Sequence, residues 1–187
     1  MALKSRLGFG MMRLPVKNGN PTDFDYDELN RMVDTFIEAG YTYFDTSYVY
    51  HNGKSEEATR KAVVERYPRD AFTVATKFPT FSLEREDQIE PIFAEQLENL
   101  GVDYIDYYLL HNFQTVYYDG IDGKGGIVKT AHLFDHANKW KADGKIKHLG
   151  FSFHSSAKLL DRILTEHPEV EFVQIPFNYI DAESELV

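Results

Sequence analysis

The 187-residue sequence contains no cysteine, so the chain by itself can form no disulfide, thiolate zinc site, iron–sulfur cluster or cysteine nucleophile. Basic residues are scarce as well, with 20 Lys and Arg against 30 Asp and Glu and a formal net charge of −10. This imbalance argues against nucleic acid and anionic membrane surfaces as partners, because both need clustered basic side chains. No apolar run approaches the roughly 20 residues of a membrane span.

The first residues, Met1–Arg6, lack the apolar core of a signal peptide. Together with the absence of cysteine, this predicts a cytoplasmic protein. What the sequence does contain is 43% hydrophobic and 27% charged residues, a composition typical of a folded chain rather than a disordered one.

The segment from Asp25 to Gly40 predicts an amphipathic helix. Asp25 can cap its start, with Glu28 three residues later in the position of a capping box. Gly40 stands where a helix commonly ends in a left-handed residue. The apolar positions with helical spacing are Leu29, Met32, Val33, Phe36 and Ile37.

Strand and helix patterns alternate along the whole sequence. The predicted strands are Leu7–Met12, Tyr41–Thr46, Phe72–Lys77, Tyr104–Leu110, Ile146–Phe151 and Phe172–Ile175. The further predicted helices are Ser55–Tyr67, Glu86–Leu100, Ile127–Ala142 and Ser156–His167. Such alternation implies a parallel sheet with helical crossovers.

Two α/β architectures fit this alternation. A doubly wound sheet would carry a glycine-rich phosphate loop after its first strand, and Gly8-Phe9-Gly10 matches that pattern only in part. A (β/α)8 barrel places polar residues at the carboxyl ends of its strands. This sequence does so at Asp45, Lys77, His111, Ser152 and Gln174. We therefore predict an incomplete (β/α)8 TIM barrel of about six parallel strands, as a single domain over residues 1–187.

Polar side chains at successive strand ends predict a catalytic cluster. Asp45 closes an apolar strand, Lys77 ends the next, His111 follows the one after, and Tyr50 lies five residues beyond Asp45. Because neighbouring parallel strands lie about 4.8 Å apart, these four side chains can converge at one end of the sheet. Asp45 and Lys77 taken alone could equally form a structural ion pair.

The residue types of this cluster suit carbonyl reduction. A tyrosine hydroxyl is a weak acid at neutral pH, and a nearby ammonium group strengthens it by stabilising the phenolate. Asp45 would keep Lys77 charged and fixed, while His111 could hydrogen-bond the substrate oxygen or share its proton. Since no member of the group is an obvious nucleophile, a cofactor would supply hydride.

Taken in order, several segments resemble the signatures of aldo-keto reductases. They are Leu7-Gly8-Phe9-Gly10, Phe44-Asp45-Thr46-Ser47 with Tyr50, Thr76-Lys77, Asp106-Tyr107-Tyr108-Leu109-Leu110-His111, Gly144-Lys145-Ile146, Leu149-Gly150-Phe151-Ser152, and Gln174 before Asn178-Tyr179. The resemblance implies a catalytic tetrad at Asp45, Tyr50, Lys77 and His111. It also implies NADP(H) as cofactor, a small-molecule carbonyl substrate and no glycine-rich phosphate loop.

The resemblance implies cofactor contacts as well. Ser152 and Gln174 match family residues that hydrogen-bond the nicotinamide carboxamide, and the remaining cofactor-binding residues implied are Gly10, Met11 and Asp45. The sequence departs from the family at Ser152-Phe153-His154, where Ser-Asn is usual. The Phe-His version is similar to a bacterial branch whose longer members carry a C-terminal iron–sulfur module, which a chain without cysteine does not have.

A second departure concerns length, because the chain ends soon after its sixth strand whereas a full barrel needs about 250 residues. We expect a truncated barrel that lacks its last two β/α units. In the family those units supply the aromatic side chain that stacks on nicotinamide and the basic residues that hold the adenosine phosphate. Exposed barrel edges would then favour self-association.

Three functional hypotheses follow from the sequence. The chain could be an active reductase completed by another chain, a barrel fragment without turnover, or a binding or regulatory protein on a reductase scaffold. Metal-dependent hydrolysis is disfavoured, because no His-x-His or clustered His-Glu pattern occurs and no metal site is expected. His51 could border the substrate or be a solvated loop residue, and Tyr117–Gly126 could be a substrate-facing flap or a solvated connection.

Overall fold

The computed structural model describes residues 6–177. Asn178 and Tyr179, which contribute to the resemblance, lie outside this range. Contacts divide the chain into two compact units, which are described separately below. The first unit comprises Met1–Thr76 and Ala94–Tyr107, and the second comprises Lys77–Phe93 and Tyr108–Val187.

Six strands form one sheet in sequence order, from β1 to β6. Pairing is parallel between the first and second strands, the second and third, and the fifth and sixth. A doubly wound sheet reverses its strand order at a switch point, whereas a barrel keeps it sequential. The strands are β1 (Gly8–Gly10), β2 (Tyr43–Asp45), β3 (Thr73–Phe78), β4 (Ile105–Phe113), β5 (Ile146–Phe153) and β6 (Phe172–Gln174).

Helices connect the strands. They are α1 (Tyr26–Glu38), α2 (Ser55–Thr59), α3 (Ile89–Leu100), α4 (Thr115–Tyr118), α5 (Ile127–Thr130), α6 (Leu133–Ala142) and α7 (Ala157–Glu166). A π-helical turn, Arg60–Val64, continues α2, and short 3-10 turns span Thr80–Ser82 and Glu86–Gln88. Among the described residues, no helix combines the length and the apolar character that crossing a membrane requires.

Helix α1 matches its prediction at both ends. Asp25 caps the helix and accepts a hydrogen bond from the backbone N–H of Glu28 at 3.1 Å. Gly40 follows the helix in a left-handed conformation, with φ of 87°. Leu29, Val33 and Phe36 are buried on one face as the apolar spacing predicted, whereas Met32 of the same predicted face is 39% exposed.

The prediction of one helix from Ile127 to Ala142 is wrong, because the chain breaks there into α5 and α6. His132 adopts a left-handed conformation (φ 52°) between the two helices. The change of direction lets both segments bury apolar residues, Val128 on α5 and Leu133 with Phe134 on α6. Periodicity alone does not reveal this break, since both segments have helical spacing.

Aromatic contacts hold the interior of each unit. In the first unit the rings of Phe9, Phe36 and Phe44 lie with centroids 5.2–5.6 Å apart. In the second unit Trp140 of α6 stacks on Phe93 with centroids 3.9 Å apart. Such pairs contribute about 0.5–1.5 kcal/mol beyond the area they bury, so the first set fixes α1 against β1 and β2, and the second joins α6 to α3.

The loop after α4 closes on itself. The backbone N–H of Gly126 donates to the carbonyl of Tyr118 at 2.9 Å, and that of Gly125 donates to Asp119 at 2.7 Å. A Cβ at Gly126 would overlap the carbonyl of Tyr117, so this close approach requires glycine. Ile121 at the tip is 96% exposed.

Candidate active site

Asp45 is the last residue of β2, as predicted. It lies opposite Gly10 of β1 in the parallel register, and its carbonyl accepts a hydrogen bond from the backbone N–H of Met11 at 2.8 Å. The first unit therefore brings together three of the predicted cofactor-binding residues, Gly10, Met11 and Asp45. A Cβ at Gly10 would meet no atom within 4 Å, so the backbone here faces open space.

The hydroxyl of Tyr43 donates to Asp45 Oδ2 at 3.4 Å. Burial, together with the negative charge of Asp45, raises the pKa of Tyr43 far above its ordinary value of 10.0. Tyr43 therefore remains a protonated donor, and this contact helps to orient the Asp45 carboxylate.

Tyr50 lies in a loop of successive tight turns between β2 and α2. Its backbone N–H donates to the carbonyl of Ser47 at 3.2 Å, and its own carbonyl accepts from the N–H groups of Gly53 (3.1 Å) and Ser55 (3.2 Å). Because donor and acceptor are both engaged, the backbone at Tyr50 has a defined place in the loop.

A second tyrosine on this loop has a different environment. Tyr48 donates its hydroxyl to Glu95 Oε2 at 2.9 Å. Burial, with the Glu95 hydrogen bond and charge, raises the pKa of Tyr48 to about 12. A phenol this reluctant to ionise is a poor proton donor to a substrate, so Tyr48 does not compete with Tyr50 for that role.

Glu56 of α2 is a fully buried carboxyl that sequence reasoning missed. Its Oε1 accepts hydrogen bonds from Thr76 Oγ1 (2.6 Å) and Gln96 Nε2 (2.8 Å), and its Oε2 accepts from Asn99 Nδ2 at 3.4 Å. Burial raises the pKa of Glu56 to about 7, although these hydrogen bonds oppose the rise. Helical spacing could have indicated that Glu56 is buried, because it lies three and seven residues before the buried Thr59 and Val63.

Lys77 and His111 belong to the second unit, and both are buried. Lys77 of β3 is only 1% exposed. Burial lowers the pKa of His111 to about 3, with help from the positive charge of Lys77 and from His154. His111 is therefore a neutral imidazole at neutral pH, able to donate one N–H and to accept at its other nitrogen. The ring of Phe81 lies edge-on to it, with centroids 5.5 Å apart.

Three strands extend beyond their predicted ends. Lys77 is followed by Phe78 within β3, His111 lies two residues before the end of β4, and Ser152 lies within β5. The strand ends predicted just before His111 and Ser152 were therefore placed three and two residues too early.

Ser152 and Gln174 are direct neighbours across β5 and β6 in the parallel register. Their side chains share one face of the sheet, because paired residues of adjacent strands point the same way. The hydroxyl oxygen of Ser152 accepts a hydrogen bond from the backbone N–H of Asn112 at 2.7 Å, so its O–H proton is directed elsewhere. Asn112, which is left-handed with φ of 58°, was not singled out in the sequence.

This pair suits a carboxamide. A glutamine side chain offers both a donor and an acceptor, and the serine offers a hydroxyl donor, so together they can satisfy a planar amide. Phe153, which stands where the family usually has Asn, is fully buried in the core. No group of three or more His, Cys, Asp or Glu side chains within residues 6–177 could hold a metal ion.

Each unit thus assembles part of the predicted site. Gly10, Met11 and Asp45 adjoin in the first unit, which also holds Tyr50. The second unit contains Lys77 with His111, and Ser152 with Gln174. Convergence of the four predicted catalytic side chains would join residues of both units, and it stays a prediction.

The model of the aldo/keto reductase family matches residues 6–187. The chain belongs to this family. It is 31% identical over 185 residues to aldo-keto reductase str7 of Strobilurus tenacellus, an alignment that covers 95% of this chain and 50% of that protein.

Solved aldo-keto reductases share its fold. The thermostable aldo-keto reductase Tm1743, solved with the inhibitor epalrestat, superposes with a TM-score of 0.69 at 21% identity, over 95% of this chain and 61% of that one. With six parallel strands alternating with helices, this likeness confirms the prediction of part of a (β/α)8 barrel. One solved relative contains NADP. It is an aldo-keto reductase of Bombyx mori, which matches with a TM-score of 0.67 and 25% identity over 92% of this chain and 54% of that chain.

This aldo-keto reductase chain spans about half the length of the curated relatives it matches.

Proposed function

We propose that this aldo-keto reductase chain carries the proton-donating site of an NADPH-dependent oxidoreductase that reduces an aldehyde or ketone to an alcohol. Tyr50 is the acid, Lys77 and Asp45 support it electrostatically, and His111 binds the carbonyl oxygen. The observation that carries the proposal is that Lys77 and His111, a cation and an imidazole from neighbouring strands of the sheet, are both buried in the second unit.

The electrostatics of the second unit support these roles. A neutral imidazole can donate an N–H hydrogen bond to a carbonyl oxygen, but it is too weak an acid to transfer that proton to the oxygen. The proton must then come from another group. Lys77 carries the charge that would stabilise a phenolate, which favours tyrosine as that group.

These roles account for each proton and electron pair that moves in the reaction. NADPH, when bound, supplies the hydride that adds to the carbonyl carbon. The carbonyl π electrons move to oxygen, where the His111 N–H stabilises the developing negative charge. Tyr50 transfers its hydroxyl proton to that oxygen and becomes a phenolate beside the Lys77 ammonium. Asp45 balances the charge of Lys77, and solvent later reprotonates Tyr50.

Four further residues are proposed to contact the cofactor. Ser152 and Gln174 would hydrogen-bond the nicotinamide carboxamide, which their pairing across β5 and β6 supports. Gly10 and Met11 would border the cofactor at the end of β1, where the glycine leaves the backbone accessible.

The direct test is carbonyl-dependent oxidation of NADPH by the wild-type protein with a panel of aldehydes and ketones. With NADPH deuterated at its transferable position, we expect deuterium at the former carbonyl carbon of the alcohol. A primary isotope effect would show that hydride transfer limits the rate. Tight NADPH binding without turnover on any carbonyl would instead favour a binding or regulatory role, and no NADPH binding would favour an inactive barrel fragment.

Self-association is the second part of the proposal. Strands β1 and β6 stand at the two ends of the strand order, and edge strands present backbone groups that can pair with another chain. Leu7 before β1, and Ile175 with Phe177 after β6, are exposed apolar residues beside these edges. Light scattering is expected to give at least a dimer mass, reduced in Leu7→Glu. A monomer at high protein concentration would contradict it.

A further inference from the structure

His51, the residue after Tyr50, connects two loops that precede helices. Its Nε2 accepts a hydrogen bond from the backbone N–H of Leu14 at 3.0 Å. That nitrogen is therefore unprotonated, so the ring proton sits on Nδ1, which donates to the carbonyl of Pro21 at 2.8 Å. The ring also packs edge-on against Phe24, with centroids 5.1 Å apart.

The partners of the His51 ring, Leu14, Pro21 and Phe24, all lie in the segment between β1 and α1. This segment is internally braced, because Lys17 N–H donates to the carbonyl of Asp23 at 2.7 Å and Val16 forms a bridge with Phe24. The start of this segment also contacts the first residue of α2, because Ser55 Oγ donates to the carbonyl of Met11 at 2.9 Å. The two loops are thus joined at two separate places.

The backbone at His51 is held in an unfavourable conformation. His51, Asn52 and Gly53 are consecutive left-handed residues, with φ of 52°, 54° and 82°. For a residue other than glycine this conformation is uncommon and unfavourable, and it persists where surrounding contacts determine it. The two ring hydrogen bonds and the Phe24 contact are such contacts, and they act directly beside Tyr50.

We propose that His51 is a positioning residue, which fixes the Tyr50 backbone by clamping its loop to the Leu14–Phe24 segment. The inference rests on the proposed function of Tyr50 as the acid. Both imidazole nitrogens are engaged with backbone groups, so His51 itself transfers no proton. The alternative of a solvated loop histidine does not describe these contacts, and the alternative of a residue bordering the substrate stays a prediction.

Three variants separate the clamp from general loop effects. His51→Gly removes the ring and tolerates the left-handed backbone. His51→Gln retains one acceptor and one donor on a flexible side chain, so it can restore both hydrogen bonds. Asn52→Gly is the matched control, because Asn52 is the exposed, left-handed neighbour.

Amide hydrogen exchange and steady-state kinetics are measured on all three. Loss of two hydrogen bonds in His51→Gly is expected to speed exchange of the Leu14 amide about 30-fold. Misplacement of the acid is expected to lower kcat about 10- to 100-fold, with KM for NADPH within about threefold of wild type. His51→Gln is expected to recover most of both losses, and Asn52→Gly to match the wild type.

The outcomes that overturn the proposal are specific. Unchanged Leu14 exchange in His51→Gly would show that no clamp exists, and wild-type kcat despite faster exchange would show that the clamp does not position Tyr50. If kcat and Leu14 exchange in His51→Gln were no closer to wild type than in His51→Gly, the two hydrogen bonds would not be the cause of the effect. Absence of turnover in the wild type would count against the proposed function alone. The clamp would then be tested by hydrogen exchange of the Tyr50 amide, which must be faster in His51→Gly than in wild type for the proposal to hold.

Discussion

Tyr50→Phe is expected to lower kcat for carbonyl reduction about 100- to 10,000-fold, the range that a positioned general acid contributes. Phenylalanine keeps the ring but removes the only proton proposed to reach the carbonyl oxygen. Because Tyr50 acts on the substrate oxygen, Kd for NADPH is expected to stay within about threefold of wild type. The measurements are stopped-flow NADPH oxidation and fluorescence titration of the cofactor.

Tyr48→Phe is the matched control for this variant. It removes a tyrosine hydroxyl from the same loop, two residues away, where the donor goes to Glu95 at 2.9 Å. With its pKa raised to about 12, Tyr48 is not suited to proton transfer, so kcat is expected to change less than about threefold. Equal rates for Tyr50→Phe and wild type, or equal losses for both variants, would exclude Tyr50 as the acid.

Local signals made much of the fold predictable. Helix α1 follows from its cap at Asp25, its apolar spacing and Gly40, all of which lie within one short stretch of sequence. The sequential strand order was predictable only because polar residues at the strand ends favoured a barrel, since β/α alternation fits a doubly wound sheet equally well. The break between α5 and α6 could not be predicted in the same way, because a histidine such as His132 does not by itself indicate a left-handed turn.

One part of the candidate site, the pairing of two predicted cofactor-binding residues, depends on strand order and register alone. Ser152 and Gln174 occupy matching positions on consecutive strands, so their pairing follows once the register is known. Contacts between distant segments were not predictable. His51 reaches Leu14 37 residues earlier, and Glu56 reaches Gln96 40 residues later, and single-sequence patterns carry no information at such separations.

Glu56 was also hidden by its surroundings in sequence. Ser55-Glu56-Glu57 reads as the acidic first turn of a helix, where carboxylates usually face solvent and complement the helix dipole. The structure separates the two acids. Glu56 is buried among Thr76, Gln96 and Asn99, whereas Glu57 is partly exposed and pairs with Lys54 at 2.5 Å.

Burial of Glu56 makes the stability of the fold depend on pH. In the folded chain its pKa is raised to about 7 from an ordinary value of 4.5, so between these values the folded state holds a proton that the unfolded state has released. The free energy of unfolding therefore falls as pH rises through this window. A pKa rise of this size corresponds to a loss of about 3 kcal/mol, fully developed above pH 7 and absent below pH 4.5.

Glu56→Gln is expected to abolish this loss. The amide stays neutral at every pH, and its Oε1 can still accept from Thr76 and Gln96, while Asn99 can present its own oxygen to the new NH2 group. The variant should therefore be more stable than wild type by roughly 1–3 kcal/mol at pH 8 and nearly equal to it at pH 4.5. Urea denaturation followed by circular dichroism across this range measures the difference. Glu57→Gln, which removes only a surface ion pair worth about 0–1 kcal/mol, should run parallel to wild type. If the curve for Glu56→Gln ran parallel to wild type too, the buried carboxyl would not carry the proposed pH dependence.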